Sequence, residues 1–191
     1  MPDYNKIFKM PKTGGITGRT SSITSAFVTA IIPTVPPSEQ EIRKSLEILN
    51  LSADDLRCAY CGDKATEWDH LRPIVSNKMP TGYLSDIYNL VPACGKCNQS
   101  KGNKNWKEWI VSSAKLSPKS RGTTDINNKI KMLDKYEKWK EVKSVNYGEM
   151  VGEELWKKHW ENCRRLHDDM IEAQKHAKKL RDVIAKILAK S

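Results

Sequence analysis

At 191 residues the chain is long enough for one or two domains with cores of their own, and 38% hydrophobic with 29% charged residues is a globular rather than a disordered composition. The longest apolar run, Ala26 to Pro33, is too short to cross a bilayer, and the N-terminus lacks the features of a secretory signal, so a cytoplasmic protein with no membrane partner is expected. A net charge of +10 and a pI near 9.3 point to a polyanionic partner, nucleic acid ahead of an anionic membrane, because no polybasic block stands beside a lipidation motif.

Residues 1–37 carry Lys6, Lys9, Lys12 and Arg19 against a single acid, Asp3, and run through Gly14, Gly15 and Gly18 to Pro33, Pro36 and Pro37. Such a basic N-terminal arm reads either as a loosely ordered segment or as one that touches phosphates. Residues 38–57 are expected to form a supporting helix. Ser38 is its N-cap and Glu41 occupies the capping-box position, while Ile42, Leu46, Ile48 and Leu49 share one face before an end near Asn50.

Residues 58–115 hold the chemistry. Thr66 to Leu71 reads as a short strand, Gly82 marks a turn, and Cys94 to Lys101 is a knuckle running into a helix. Trp106, Trp109 and Ile110 follow at helical spacing and are assigned to the core rather than to a base-stacking platform. Residues 116–191 form a helical region suited to DNA contact or dimerisation. Ile126, Ile130, Leu133 and Tyr136 mark one amphipathic helix that ends before a turn at Asn146–Gly148. A longer helix repeats Trp156, Cys163, Met170, Ala177 and Ile184 every seventh residue, with Leu166, Ala173, Leu180 and Ile187 at the complementary positions and His159 interrupting them. Either the two helices fold back as a hairpin or the long one pairs with a second copy. The bases there alternate with acids, which describes a solvated face. The fold class is α+β, mostly α.

Four of the five cysteines form two pairs, Cys58-Ala-Tyr-Cys61 and Cys94-Gly-Lys-Cys97. Their spacing is that of a tetrahedral four-thiolate zinc site, with Gly62 and Gly95 easing the turns. The segment between the pairs is longer than in a plain zinc ribbon and leaves room for a hairpin. Cys163, in a helical pattern, is expected to be a small buried hydrophobe. Between the pairs lies Asp69-His70. Neighbouring side chains of a strand point to opposite faces, so these two cannot share one metal unless the strand twists or ends there, and a division of labour between them is expected. The carboxylate suits a hard cation such as Mg2+ and the imidazole can take a proton near neutral pH, the two tasks that phosphodiester hydrolysis sets.

Taken in order, Cys58-x-x-Cys61, Asp69-His70, Asn89-Leu90-Val91-Pro92 and Cys94-x-x-Cys97-Asn98-x-x-Lys101 resemble the zinc-stapled branch of the HNH endonuclease family, over roughly residues 58–110. The resemblance implies a ββα-metal, or His-Me finger, core with flanking helices, acting on double-stranded DNA. It implies that His70 is the general base and that Asn89 holds the loop behind it. Asp69 and Asn98 would bind a catalytic Mg2+ or Mn2+, beside a structural Zn2+ on the cysteines. Asn98 stands where many members have the last histidine of the name, which makes this an H-N-N variant; an amide oxygen can still ligate either cation. Lys101 is assigned to a phosphate contact, with a solvated lysine as the alternative, and Arg72 to a further phosphate contact. The flanking residues suffice for base readout or dimerisation, and the chain resembles small type II restriction enzymes of this class. Two nicks in a duplex favour a symmetric homodimer. A mobile-element or phage HNH endonuclease, and a zinc-containing DNA-binding module that does not cut, are the alternatives.

Overall fold

The computed structural model describes residues 10–189. They divide into two compact units, one running from Val28 to Val151, the other made of the N-terminal residues through Phe27 together with those from Gly152 onward. The expected boundaries at 37/38 and 115/116 do not fall there. Residues 28–151 share one core, and the N-terminal segment belongs with the long C-terminal helix.

A 3-10 turn, Ile16–Arg19, leads directly into helix α1, Thr20–Ala30. This corrects the reading of a loosely ordered arm across that stretch, while Lys6 and Lys9 lie outside the described residues. The helix forms because its side chains have tertiary partners that composition alone does not show. Helix α7, Glu153–Leu188, supplies them. Phe27 packs on His159 with ring centroids 5.2 Å apart, the His159 ring bonds the Phe27 carbonyl at 3.0 Å, and Gln174 accepts from the Ile16 amide at 2.6 Å. His159 therefore interrupts the heptads because it caps this contact. Cys163 and Met170 are buried, as the periodicity predicts, whereas Leu180 and Ile184 further along are 54% and 48% exposed. The N-terminal segment packs along the first half of α7, in place of the expected hairpin mate.

In the larger unit, α2, Glu39–Leu49, begins with the capping box foreseen at Ser38 and Glu41 and ends on Asn50 in the left-handed conformation. Its buried face is Ser45, Ile48 and Leu49; Ile42 is exposed, because the first turn is held by the cap and by the Tyr88 hydroxyl on Glu41 rather than by apolar burial. Strands β1, Glu67–His70, and β4, Leu90–Ala93, pair antiparallel with Asp69 opposite Val91 and His70 opposite Leu90. Between them a small hairpin, β2 (Val75–Ser76) and β3 (Met79–Pro80), turns through Asn77 and Lys78, both at positive φ as a two-residue loop requires. Gly82 does more than turn. A Cβ there would lie 2.1 Å from the Val145 carbonyl oxygen, and only glycine permits that approach.

Helix α3, Gly95–Lys101, follows β4 at once, and α4, Trp106–Ile110, and α5, Ile126–Glu137, close over the sheet. Tyr60, Leu71, Val91, Trp106, Trp109, Ile110, Leu133 and Tyr136 meet in one core, in which Trp109 stands edge-on to Tyr60. The tryptophans are core, not a stacking platform. A further short helix, α6, Tyr147–Val151, occupies the place of the expected turn, capped by Asn146, and the chain breaks instead at Gly152, whose φ is +85°. Among the described residues no helix is long and apolar enough to cross a membrane.

Candidate active site

Four cysteines anchor the elements that carry the site. The β1–β4 pair and α3 bring the two cysteine knuckles together, so that the sulfurs of Cys58, Cys61, Cys94 and Cys97 all lie within 4.8 Å of one another. Cys61 and Cys94 sulfurs are 3.7 Å apart, close to the edge of a tetrahedron with metal–sulfur bonds of about 2.3 Å. None of the four is in a disulfide. The set fits Zn2+. Arg121, which the sequence did not single out, places Nη1 3.4 Å from the Cys97 sulfur and also pairs with Asp63 in the first knuckle, a cation beside a group of thiolates.

Asp69, His70 and Asn98 line one cavity of about 200 Å3, together with Pro73, Val75 and Asn103. Asp69 and His70 can share it because β1 stops at His70, the condition that strand geometry set. Asn98 comes from the first turn of α3, one residue after Cys97, so the second knuckle fixes its position. An acid oxygen and an amide oxygen form a hard donor set, which fits Mg2+ or Mn2+. The Nε2 atom of His70 is 2.8 Å from the Ser85 hydroxyl; in the tautomer in which Nε2 donates to that oxygen, Nδ1 is the ring nitrogen able to take a proton. Burial, with the Lys101 ammonium adding to it, holds the His70 pKa down to about 4, so its ring is neutral at pH 7.

Asn89 is completely buried, and its amide laces the loop between the strands. Its Oδ1 accepts from the Arg72 amide at 2.7 Å, and Nδ2 donates to the Arg72 carbonyl at 3.0 Å and the Leu84 carbonyl at 3.4 Å. These bonds tie together the chain just after His70 and the chain just before Ser85, the two partners of the imidazole contact.

The basic residues lie differently from expectation. Lys101 has no exposed surface; its ammonium sits 3.0 Å from Asp69 Oδ2 and donates to the His70 carbonyl at 2.6 Å. It is neither a solvated lysine nor turned outward toward a phosphate, because α3 aims it at the back of β1. Arg72 is equally occupied, donating to the Glu137 carbonyl at 2.8 Å on α5. Asp69 is thus held from behind by Lys101 and by the Tyr60 hydroxyl, 2.6 Å from Oδ2, with Tyr60 fully buried between Cys58 and Cys61 in sequence. Burial pushes the Asp69 carboxyl up and the Lys101 ammonium opposes it; burial likewise pulls Lys101 down against the pull of Asp69. Each charge offsets the desolvation of the other. Replacing Lys101 by alanine strands a buried carboxylate and is expected to cost about 3–5 kcal/mol of stability, read by urea denaturation. An unchanged midpoint would show that the pair does not matter to the fold.

Tyr60, Glu67, Ser85 and Arg121 are the members of the site that the motif did not reveal. Two carried a signal in hindsight: Tyr60 is enclosed by a cysteine pair, and Glu67 precedes Asp69 by two residues on a strand, the spacing of one face. Ser85 and Arg121 arrive from distant loops and carried none.

An antiparallel pair running into a short helix thus carries four clustered cysteines and presents Asp69-His70 beside the Asn98 amide. Residues 58–104 match the family model described as HNH endonuclease, and this segment is an HNH endonuclease domain. Over 69 residues the chain is 33% identical to the CRISPR-associated endonuclease Cas9 of Corynebacterium diphtheriae, an alignment that takes in 34% of this chain and 6% of that protein. The chain therefore matches a small fraction of that relative's length. No solved structure matches it.

Proposed function

We propose that the chain is a divalent-metal-dependent DNA endonuclease that hydrolyses phosphodiester bonds at the cavity lined by Asp69, His70 and Asn98. The observation that supports this most strongly is the convergence of those three side chains on one cavity inside the HNH domain. His70, neutral at pH 7 and with Nε2 engaged by Ser85, takes the proton of the attacking water on Nδ1. Asn89 positions it by fixing the loop that carries Ser85. Asp69 and Asn98 hold Mg2+ or Mn2+, which supplies charge stabilisation for the phosphorane and the leaving oxygen. The four cysteines hold a structural Zn2+. A net charge of +10 suits the duplex as partner.

The domain reads little sequence by itself, so the residues outside 58–104 select the cut. A site-specific enzyme of the type II restriction kind is the reading proposed, with base readout assigned to those flanking residues. It acts as a homodimer, for which exposed Leu180, Val183 and Ile184 at heptad-compatible spacing on α7 offer the apolar stripe. Mapping the ends of plasmid digests tests this. Discrete fragments with one common end sequence are expected. A single rare cut would favour a mobile-element or phage endonuclease instead, and ends at random positions would overturn site specificity.

A further inference from the structure

Asn98 presents an ambiguous ligand. A carboxamide has an oxygen that can bind a hard cation and an amino group that repels one, and the two ends have the same shape. Rotation by half a turn about the last bond of the side chain would place the wrong end in the cavity. A histidine in this position faces a like difficulty, since a half-turn of its ring exchanges a nitrogen for a carbon. An asparagine needs something to set its orientation.

Glu67 is placed to do so. It lies two residues before Asp69 on β1, and Asn98 Nδ2 donates to its Oε2 at 2.5 Å. An ionised carboxylate only accepts hydrogen bonds, so it engages the amino end of the amide and leaves Oδ1 for the cavity that Asn98 shares with Asp69. Room for the carboxylate is reserved by Gly95, where a Cβ would lie 3.0 Å from Glu67 Oε1. We propose that Glu67 is a positioning residue that fixes the Asn98 amide with its oxygen toward the catalytic cation. The arrangement mirrors the carboxylate behind a metal-bound histidine, which orients the ligand and makes it a better donor. This rests on the reading that Asn98 is a metal ligand.

The test is Mn2+ binding by the zinc-loaded full chain without DNA, followed by electron paramagnetic resonance. Wild type is expected to bind Mn2+ and Asn98→Ala to lose most of that affinity; if wild type binds none, or Asn98→Ala binds as well, the ligand assignment falls and this inference with it. With those two results in hand, Glu67→Ala is expected to weaken Mn2+ binding about tenfold or more. Glu67→Gln, whose amide can offer Asn98 either a donor or an acceptor, is expected to leave most of the loss in place. The decisive arm uses Asn98→Asp, whose two equivalent oxygens need no orienting. In that background removal of Glu67 takes away only a repelling carboxylate, so Mn2+ affinity is expected to hold or rise. A fall of equal size in both backgrounds would mean that Glu67 is merely structural, and an unchanged affinity of Glu67→Ala with Asn98 present would overturn the proposal outright. Zinc content and circular dichroism establish that each variant is folded, and Glu67→Met, of similar length and without an acceptor, replaces the alanine variant if that one is not.

Discussion

His70→Ala is expected to lower the single-turnover rate of DNA cleavage by about 10^2 to 10^4-fold, the range that a positioned general base contributes. Its side chain supports little of the core, since the ring lines the cavity and bonds only Ser85 through Nε2. Fold, zinc content and DNA affinity are therefore expected to survive the change. The combination matters more than the loss of rate. A variant that cleaves at the wild-type rate would remove His70 from the chemistry, and one that loses zinc or unfolds would show that the ring is a structural element.

The second large effect concerns the scaffold. Cys94→Ser is expected to release zinc and to leave a largely unfolded core, because Cys94 is the N-cap of α3 and the four thiolates meet within 4.8 Å. Apparent binding free energies of structural zinc run to about 10–16 kcal/mol, comparable to the whole stability of a small domain, so no local repacking offsets its loss. Metal analysis and circular dichroism read the outcome; a folded, active Cys94→Ser protein would refute the structural role. The consequence reaches the cavity lined by Asp69, His70 and Asn98 through short paths. Tyr60, between two ligands, donates to Asp69; Asn98 follows Cys97 directly; Lys101 ends the helix that the second knuckle starts. The cysteine knuckles thus belong to the same elements that position the carboxylate, the amide and the ammonium.

What the sequence disclosed and what it concealed divide along physical lines. Cysteine spacing, the capping box at Ser38 and the helical periodicity of Trp106, Trp109 and Ile110 are local signals, and local structure follows them. The placement of Asp69 and His70 on one cavity turned on where β1 ends, which periodicity leaves open. Lys101 looked like a surface base, for its burial depends on α3 crossing the back of β1 and meeting Asp69. Arg72 was concealed in the same way by α5. The N-terminal segment was the largest departure. Nothing in a stretch rich in Ser, Thr and Gly announces that Phe27 will pack on His159, which follows it by 132 residues, or that Gln174 will take the Ile16 amide. Contacts between distant residues decide such segments, and composition records only what they contain.

Incubation of the zinc-loaded protein in excess with supercoiled plasmid, with Mg2+ or Mn2+ and in parallel with a chelator of those ions, tests the central claim most directly. Conversion to nicked and linear DNA in the presence of the cation, and intact plasmid once it is chelated, is the result expected from Asp69, His70 and Asn98 acting as assigned. Intact plasmid with either cation present, or cleavage that persists without one, would contradict it.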